Sequence, residues 1–472
     1  MGVVLIFYNK VYGAFNYIPN SLRKLLYLIP IEYRLGGKNY VATYNFLKES
    51  EQWGREKLRR YQQKQLKKLL EHAVKHVPFY SNMQLTCDDP FKNLQKFQIL
   101  EKETIRDNIS EFRANTIPRK NTYRVTTSGT TNDIFFEFYL DNSVYGKEWA
   151  FKTTGWRRVG FMPGDKMISF RGTKLRNTNK GVYWQDNPIY NWLEMSPFHL
   201  SEENLPKYVQ KIKKFRPKYI HGYPSALSIL ADYVEQEVKI FPKLKAAIAI
   251  SENIYPYQRE LIERAFNTRL FSFYGMSEKV ILAPECEYDH RYHAFPEYGI
   301  TEVVDKNGDP VGEGERGELV GTGFLNYCMP FIRYRTGDYA VLSEQKCKCK
   351  RNHFMVGELT GRWLQEMVVG KDGALISISA LNLHSDVLKN IRQYQFQQKK
   401  GGKLIVRIVP KENFNGSADE KRITDAFYQK VSDNLDISIE QVDKMRLTKR
   451  GKHRLLVQYL DTKQLKNERN IK

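Results

Sequence analysis

Between residues 202 and 275 the chain alternates helical and extended patterns, and this alternation leaves few folds open to it. Leu205, Tyr208, Ile212 and Phe215 recur at helical spacing, followed by the short extended run Lys218-Tyr219-Ile220-His221. Pro224-Ser225 opens a second helix through Leu227, Leu230 and Val234, since proline is tolerated where a first-turn N–H would have no helical partner. Residues 246–250 are an unbroken apolar run, the pattern of a strand covered on both faces. A helix through 259–266 and a strand at 270–273 complete the series. Strands separated by helices run parallel, which makes this an α/β sheet with its ligands at the carboxyl ends of the strands. That rule puts Ser251-Glu252-Asn253 and Tyr274-Gly275-Met276-Ser277-Glu278 on one rim.

Other regions differ in texture. Leu58, Tyr61, Leu66, Leu69, Leu70, Ala73 and Val77 form a helical stripe that Pro78 ends. From residue 298 the pattern becomes β, with turns at Asn307-Gly308 and Glu313-Gly314-Glu315 between strands such as Glu318-Leu319-Val320 and Ala340-Val341-Leu342. Beyond Gly361-Arg362 comes a smaller unit: a strand at 404–409, a helix at 419–435, a strand at 442–447, a glycine turn and a last strand at 455–460. With 472 residues the chain exceeds one ordinary core. We therefore read an N-terminal amphipathic segment at 1–54, a large domain at 55–360 and a small domain at 361–472, with the boundary at 361–366.

Charge and cysteine usage narrow the partners. The 75 Lys and Arg against 53 Asp and Glu leave a formal charge of +22, which favours anionic partners or simply solvates lysine-rich faces. No nucleic-acid-binding signature accompanies it, so nucleic acid is not expected. Five cysteines do not make a disulfide scaffold, and Cys347 and Cys349 stand too close for an easy bridge. No stretch approaches the ~20 apolar residues that span a bilayer. The apolar start, Met1 to Tyr8, is short and lacks a leading basic region and a cleavage site, so a secretory signal is not expected. Residues 1–35 mix apolar and aromatic side chains with Lys10, Arg23, Lys24 and Arg34, which suits either a docked helix or contact with a membrane surface. The expected location is cytoplasmic, with peripheral contact at the inner membrane face.

Four segments carry chemistry. Thr126-Thr127-Ser128-Gly129-Thr130-Thr131 is a hydroxyl-rich turn with donors for phosphate oxygens, although no Gly-Lys-Ser/Thr follows it. In Phe273-Tyr274-Gly275-Met276-Ser277-Glu278 an aromatic ring at a strand end fits a base, and the carboxylate fits Mg²⁺. Arg333-Tyr334-Arg335-Thr336-Gly337-Asp338 ends on a carboxylate able to accept from both hydroxyls of a ribose. Thr448-Lys449-Arg450-Gly451-Lys452 puts a lysine on a glycine turn, able to meet charge building on a phosphate. Taken singly, each is also an ordinary turn.

Read together and in order, these segments resemble the adenylate-forming ligase superfamily, in its branch of phenylacetate–CoA ligases and CapK-type capsule biosynthesis proteins. The resemblance runs from about residue 55 to 460 and includes Val77-Pro78-Phe79-Tyr80, the stretch from Met329 to Asp338, Gly361-Arg362 and Gly451-Lys452. It implies a large N-terminal α/β domain with layered sheets and a β-rich subdomain, plus a small mobile α+β C-terminal domain. It also implies roles. Thr127, Ser128, Gly129, Thr130 and Thr131 would hold the β- and γ-phosphates of ATP. Ser251, Glu252, Asn253, Tyr274, Gly275, Met276 and Ser277 would surround the nucleotide, and Gly222, Tyr223, Pro224, Ala247, Ser251 and Met276 would line the acid pocket. Glu278 would bind Mg²⁺, Asp338 would hold the ribose with Arg362 nearby, and Lys452 would neutralise charge in the adenylation transition state. The implied function is activation of a small-molecule carboxylate as an acyl-adenylate, with transfer to CoA or to an amine or hydroxyl acceptor such as a sugar, in surface-polysaccharide synthesis. The chain departs from the family at Asn132, Asp133 and Ile134, where Gly and often Lys and Pro stand, and at Trp363-Leu364-Gln365-Glu366. An aspartate beside a phosphate site is electrostatically unwelcome, so the alternative is a non-catalytic nucleotide- or glycan-binding protein.

Cys286 and His293 are followed some fifty residues later by Cys347 and Cys349. Cys₃His is a tetrahedral Zn²⁺ set, and the same positions recur in the family. A closed site of this kind would be structural, with His290 and His353 as competing ligands and Cys87 and Cys328 uninvolved.

Overall fold

The fold is seen in a computed structural model that describes residues 24–128, 135–173, 175–251, 254, 256–343, 347–360, 367–378, 380–381, 383, 387–388, 390–443 and 456–460. Two helices, α1 (Lys38–Ser50) and α2 (Arg55–His76), lead to a hairpin of β1 (Thr122–Ser128) and β2 (Phe135–Asp141) and then to α3 (Ser143–Trp156). Helix α1 docks on α3 where two glycines meet. Gly36 has φ +126°, and a Cβ there would lie 2.4 Å from the Gly146 Cα. The Tyr40 hydroxyl, 3.2 Å from Thr153 Oγ1, fixes the contact further along.

The central sheet is built from β3 (Met167–Phe170), β4 (Trp184–Asn187), β5 (Trp192–Met195), β6 (Tyr219–Gly222), β7 (Ala246–Ala249), β8 (Leu270–Gly275) and β9 (Leu282–Pro284). Their spatial order is β4-β5-β3-β6-β7-β8-β9, parallel except at the two edges. Helices α4 (Leu205–Phe215), α5 (Pro224–Glu237) and α6 (Pro256–Phe266) supply crossovers. Every residue of β3, β5, β6 and β7 is buried, which explains why these strands read as continuous rather than alternating apolar runs. Truncating one such side chain, as in Ile220→Ala, costs about 2–5 kcal/mol through lost transfer energy and the cavity left behind.

A second, antiparallel sheet follows, built from β10 (Tyr292–Ala294), β11 (Gly299–Val304), β12 (Arg316–Gly323), β13 (Tyr334–Ser343) and β14 (Phe354–Thr360), in the order β10-β14-β13-β12-β11. One core cluster joins this sheet to α1, α2, α3 and the β1–β2 hairpin. The β change expected from residue 298 corresponds to this sheet, and the layered α/β architecture is the one the resemblance implied.

The last unit holds a hairpin, β15 (Met367–Val369) with β16 (Leu375–Ser377), and a sheet of β17 (Ile391–Lys400), β18 (Lys403–Pro410), β19 (Asp436–Gln441) and β20 (Leu456–Gln458) covered by α7 (Gly416–Val431). Three readings need correction here. The helix expected to reach residue 435 stops at Val431, where Ser432 turns to φ +54°. Leu435 continues the i, i+4 series of Ile423, Phe427 and Val431 into the same core, which misled the periodicity. Of the strand expected at 442–447, residues 444–447 lie outside the described residues, as does residue 455; ahead of it comes β19, a strand the reading omitted, in which Ile437 and Ile439 alternate. Strand β17 was not anticipated because glutamine masks it. Buried Gln398 accepts from Val369 N at 2.7 Å and donates to Val369 O at 2.8 Å, so its amide acts as a backbone-like link between hairpin and sheet. No helix among the described residues is long and apolar enough to cross a membrane.

Candidate functional site

The parallel strands end where the motifs predicted a rim. Tyr274 and Gly275 close β8, and Asp338 sits in β13 of the second sheet. The Tyr274 hydroxyl donates to Asp338 Oδ2 at 2.9 Å, bringing two motif segments together. Burial and the neighbouring Asp338 carboxylate push the Tyr274 phenol well above its ordinary range, so it stays a donor. Asp338 is oriented from behind: its backbone N–H donates to Thr336 Oγ1 at 3.1 Å, and that hydroxyl donates to Leu319 O at 2.8 Å. Gly337 supplies the φ of +75° between them.

Glu278 lies in the turn after β8, where the Tyr334 hydroxyl donates to its Oε1 at 3.1 Å. Tyr334 is thus a site residue the motif reading passed over. Its alternation with Thr336 and Asp338 along one strand was the available signal. The two arginines of the same motif are structural. Arg333 pairs with Glu302 at 3.1 Å, and Arg335 pairs with Glu101 and Glu318, each at 2.8 Å.

Ser251 follows β7 in a left-handed conformation, φ +62°, and Lys279 beside Glu278 has φ +61°. Backbone held there by a non-glycine residue costs about 1–3 kcal/mol and gathers at binding sites. Met276 and Ser277 form the turn between Tyr274 and Glu278; Lys279 N donates to Met276 O at 3.3 Å. Thr127 and Ser128 end β1, in register with Phe136 and Phe135. Gly129, Thr130, Thr131, Asn132, Asp133, Glu252, Asn253, Arg362 and Lys452 lie outside the described residues, as does the proposed boundary at 361–366.

A second cluster is built from other segments. Cys286 follows β9, His293 is on β10, and Cys347 and Cys349 are in the β13–β14 connection. One ligand atom from each lies within 4.8 Å of all the others. Cys286 Sγ is 3.3 Å from Cys347 Sγ, and Cys349 Sγ is 3.8 Å from His293 Nε2. These spacings approach the roughly 3.8 Å between two sulfurs on one Zn²⁺ at about 2.3 Å each. Arg269 braces the first loop, donating to the carbonyls of Cys286, Glu287 and Asp289 at 2.6 Å each. Burial raises the Cys286 thiol and pushes Cys347 up to about 12, and burial with Arg158 and Arg351 nearby lowers His293 to about 3. A dication would invert this for the thiols, since coordination deprotonates them. His290 is engaged elsewhere, its Nδ1 2.8 Å from Glu285 Oε1, and His353 packs against His293 at 6.0 Å between ring centroids.

Comparison with known proteins agrees with this geometry. Residues 368–459 match the model of the CapK C-terminal domain. The phenylacetate–coenzyme A ligase of Thermus thermophilus is 28% identical over 66% of this chain and 72% of its own length. Protein CapK of Staphylococcus aureus is 23% identical over 77% of this chain and 80% of its own. Among solved structures, 2-hydroxyisobutyryl-CoA ligase in complex with 2-HIB-AMP and CoA superposes with a TM-score of 0.56 at 16% identity, over 89% of this chain and 94% of that one. The fold is therefore that of adenylate-forming CoA ligases, and the sequence is similar to phenylacetate–CoA ligases, which supports an AMP-forming ligase. Its homologues are phenylacetate–CoA ligases and CapK, the latter marked by the C-terminal domain.

Proposed function

We propose that the chain activates a carboxylic acid with ATP and transfers the acyl group to CoA, or to an amine or hydroxyl of a sugar acceptor in surface-polysaccharide synthesis. The observation that carries the reading is the Tyr274–Asp338 hydrogen bond, with Glu278 and Tyr334 on the same rim. A carboxylate oxygen attacks the α-phosphorus of ATP, the bond to the β-phosphate oxygen breaks, and pyrophosphate leaves. The acceptor then attacks the acyl carbon and AMP leaves. In this reading Tyr274 and residues 251–253 flank adenine, Asp338 accepts from the ribose hydroxyls with Arg362 nearby, and residues 127–131 hold the outer phosphates. Glu278 would hold Mg²⁺, which supplies charge neutralisation at the phosphates. Lys452 would add a second positive charge at the reacting phosphorus.

Cys286, His293, Cys347 and Cys349 would hold a structural Zn²⁺ that ties the loop after β9 to the second sheet; their convergence supports this. The use of ATP and CoA favours a cytoplasmic setting, and the apolar, basic N-terminal segment suits peripheral membrane contact. Incubation with ATP, hydroxylamine and a range of acids tests the function: a hydroxamate should form with at least one acid. Nucleotide or glycan binding with no hydroxamate from any acid would favour the non-catalytic alternative, which Asn132 and Asp133 motivate.

A further inference from the structure

A buried charged group stands next to the proposed site and has no part in the chemistry above. Glu148 and Lys152 lie one turn apart on α3, and Lys279 enters from the turn after β8. Lys152 Nζ and Lys279 Nζ lie 3.3 and 3.0 Å from Glu148 Oε1. The Tyr298 hydroxyl donates to the other carboxylate oxygen at 2.6 Å. Arg171 directly follows β3 and is exposed, within electrostatic reach of Lys152 and of buried His221 on β6. Among the described residues no carboxylate pairs with Arg171. Lys152 and Lys279 thus share the Glu148 carboxylate, and Arg171 lies within electrostatic reach of Lys152; with Glu278, which acts on Tyr298, three positive charges stand against two carboxylates.

The location gives this excess a meaning. Arg171, His221 and Lys279 stand at or just beyond the carboxyl ends of β3, β6 and β8, where an α/β sheet binds its ligands. Tyr223 ties the group to the bend after β6, its hydroxyl accepting from Gly172 N at 3.2 Å. The Lys152 and Lys279 side chains retain 25% and 15% exposure, so both are reachable from solvent. An apolar acyl chain has no use for such neighbours. Pockets for apolar ligands are lined by apolar side chains. Burial, opposed by Glu148 and reinforced by Lys279 and Arg171, lowers Lys152 to about 8, and an incoming anion would hold it charged.

We propose that this cationic group takes the far end of the acyl substrate and that the acid carries a second anionic group, as a dicarboxylic acid does. Lys152 and Arg171 bind the distal carboxylate while the proximal one is adenylated. This assignment rests on the ligase reading.

The test compares pyrophosphate release with succinate and glutarate against butyrate and phenylacetate, each with ATP and hydroxylamine. The dicarboxylates should be preferred in kcat/KM by about tenfold or more, since a site built for a polar group rejects the analogue lacking it. Lys152→Met and, independently, the exposed-site variant Arg171→Gln should each reduce that preference severalfold, with thermal melting used to confirm folding. A preference for the monocarboxylates, or an undiminished dicarboxylate preference in both folded variants, would overturn the assignment while leaving the ligase reading standing. Silence across the whole panel would overturn both.

Discussion

The Tyr274 hydroxyl donates to the Asp338 carboxylate across 2.9 Å, joining the end of a parallel strand to the second sheet. A phenol held neutral by burial and by that carboxylate fixes one oxygen of Asp338 and orients the group toward the rim. The two residues come from different layers of the molecule, so their meeting is a property of the fold and not of either motif.

This pairing makes the ribose contact sensitive. Asp338→Ala should raise the KM for ATP by about 10- to 100-fold, equivalent to about 1.5–3 kcal/mol for hydrogen bonds to a charged group. Tyr274→Phe should have a smaller effect in the same direction. Initial-rate kinetics with varied ATP check both, and an unchanged KM in Asp338→Ala would contradict the assignment.

Glu278 and Tyr334 should separate in their metal dependence. Glu278→Gln should shift the Mg²⁺ requirement upward and cut kcat by at least about tenfold, as expected for losing an anionic ligand. Tyr334→Phe removes one neutral donor, worth about 1 kcal/mol, and should cost about fivefold. Titration of activity with Mg²⁺ distinguishes the two.

The Cys₃His cluster predicts one Zn²⁺ per chain by metal analysis. Cys347→Ser should lose that equivalent and lower Tm by about 2 °C, corresponding to roughly 2 kcal/mol in a large chain. Steady-state kinetics with saturating ATP should be little altered in the folded fraction, because the four residues come from segments other than those of Tyr274 and Asp338.

Stability should fall with acid through Glu148. Burial alone would raise this carboxyl, but Lys279 and Lys152 outweigh it and hold the group at about 2, below its ordinary value of 4.5. The unfolded chain therefore binds more protons between about pH 4.5 and 2, and stability rises with pH across that window. The contribution is complete above pH 4.5 and is lost as pH falls toward 2. Denaturation midpoints at several pH values should show a shallower acid dependence in Glu148→Gln.

Much of this was legible because burial on both faces leaves a plain trace. Strands β6 and β7 and the helices after them follow from apolar runs and proline positions. The Cys₃His cluster was legible from residue type, with His290 and His353 set aside only once the fold placed them. What escaped was polar material doing apolar work. Gln395, Gln397 and Gln398 are buried in β17 yet read as a solvated stretch. Leu435 continued a helical spacing across a break in the helix. The Glu148–Lys152–Lys279 group was invisible because its members meet only when α3 packs beside the turn after β8.

The central claim is that a lysine of the C-terminal unit acts on a nucleotide held by the large domain. Exchange of labelled pyrophosphate into ATP, dependent on an added carboxylic acid, measures that step directly. Exchange is expected in the unaltered chain, with a loss of at least about a hundredfold in folded Lys452→Ala, the scale of removing one charge-stabilising group. Full exchange in that variant, or exchange that ignores the acid, would contradict it.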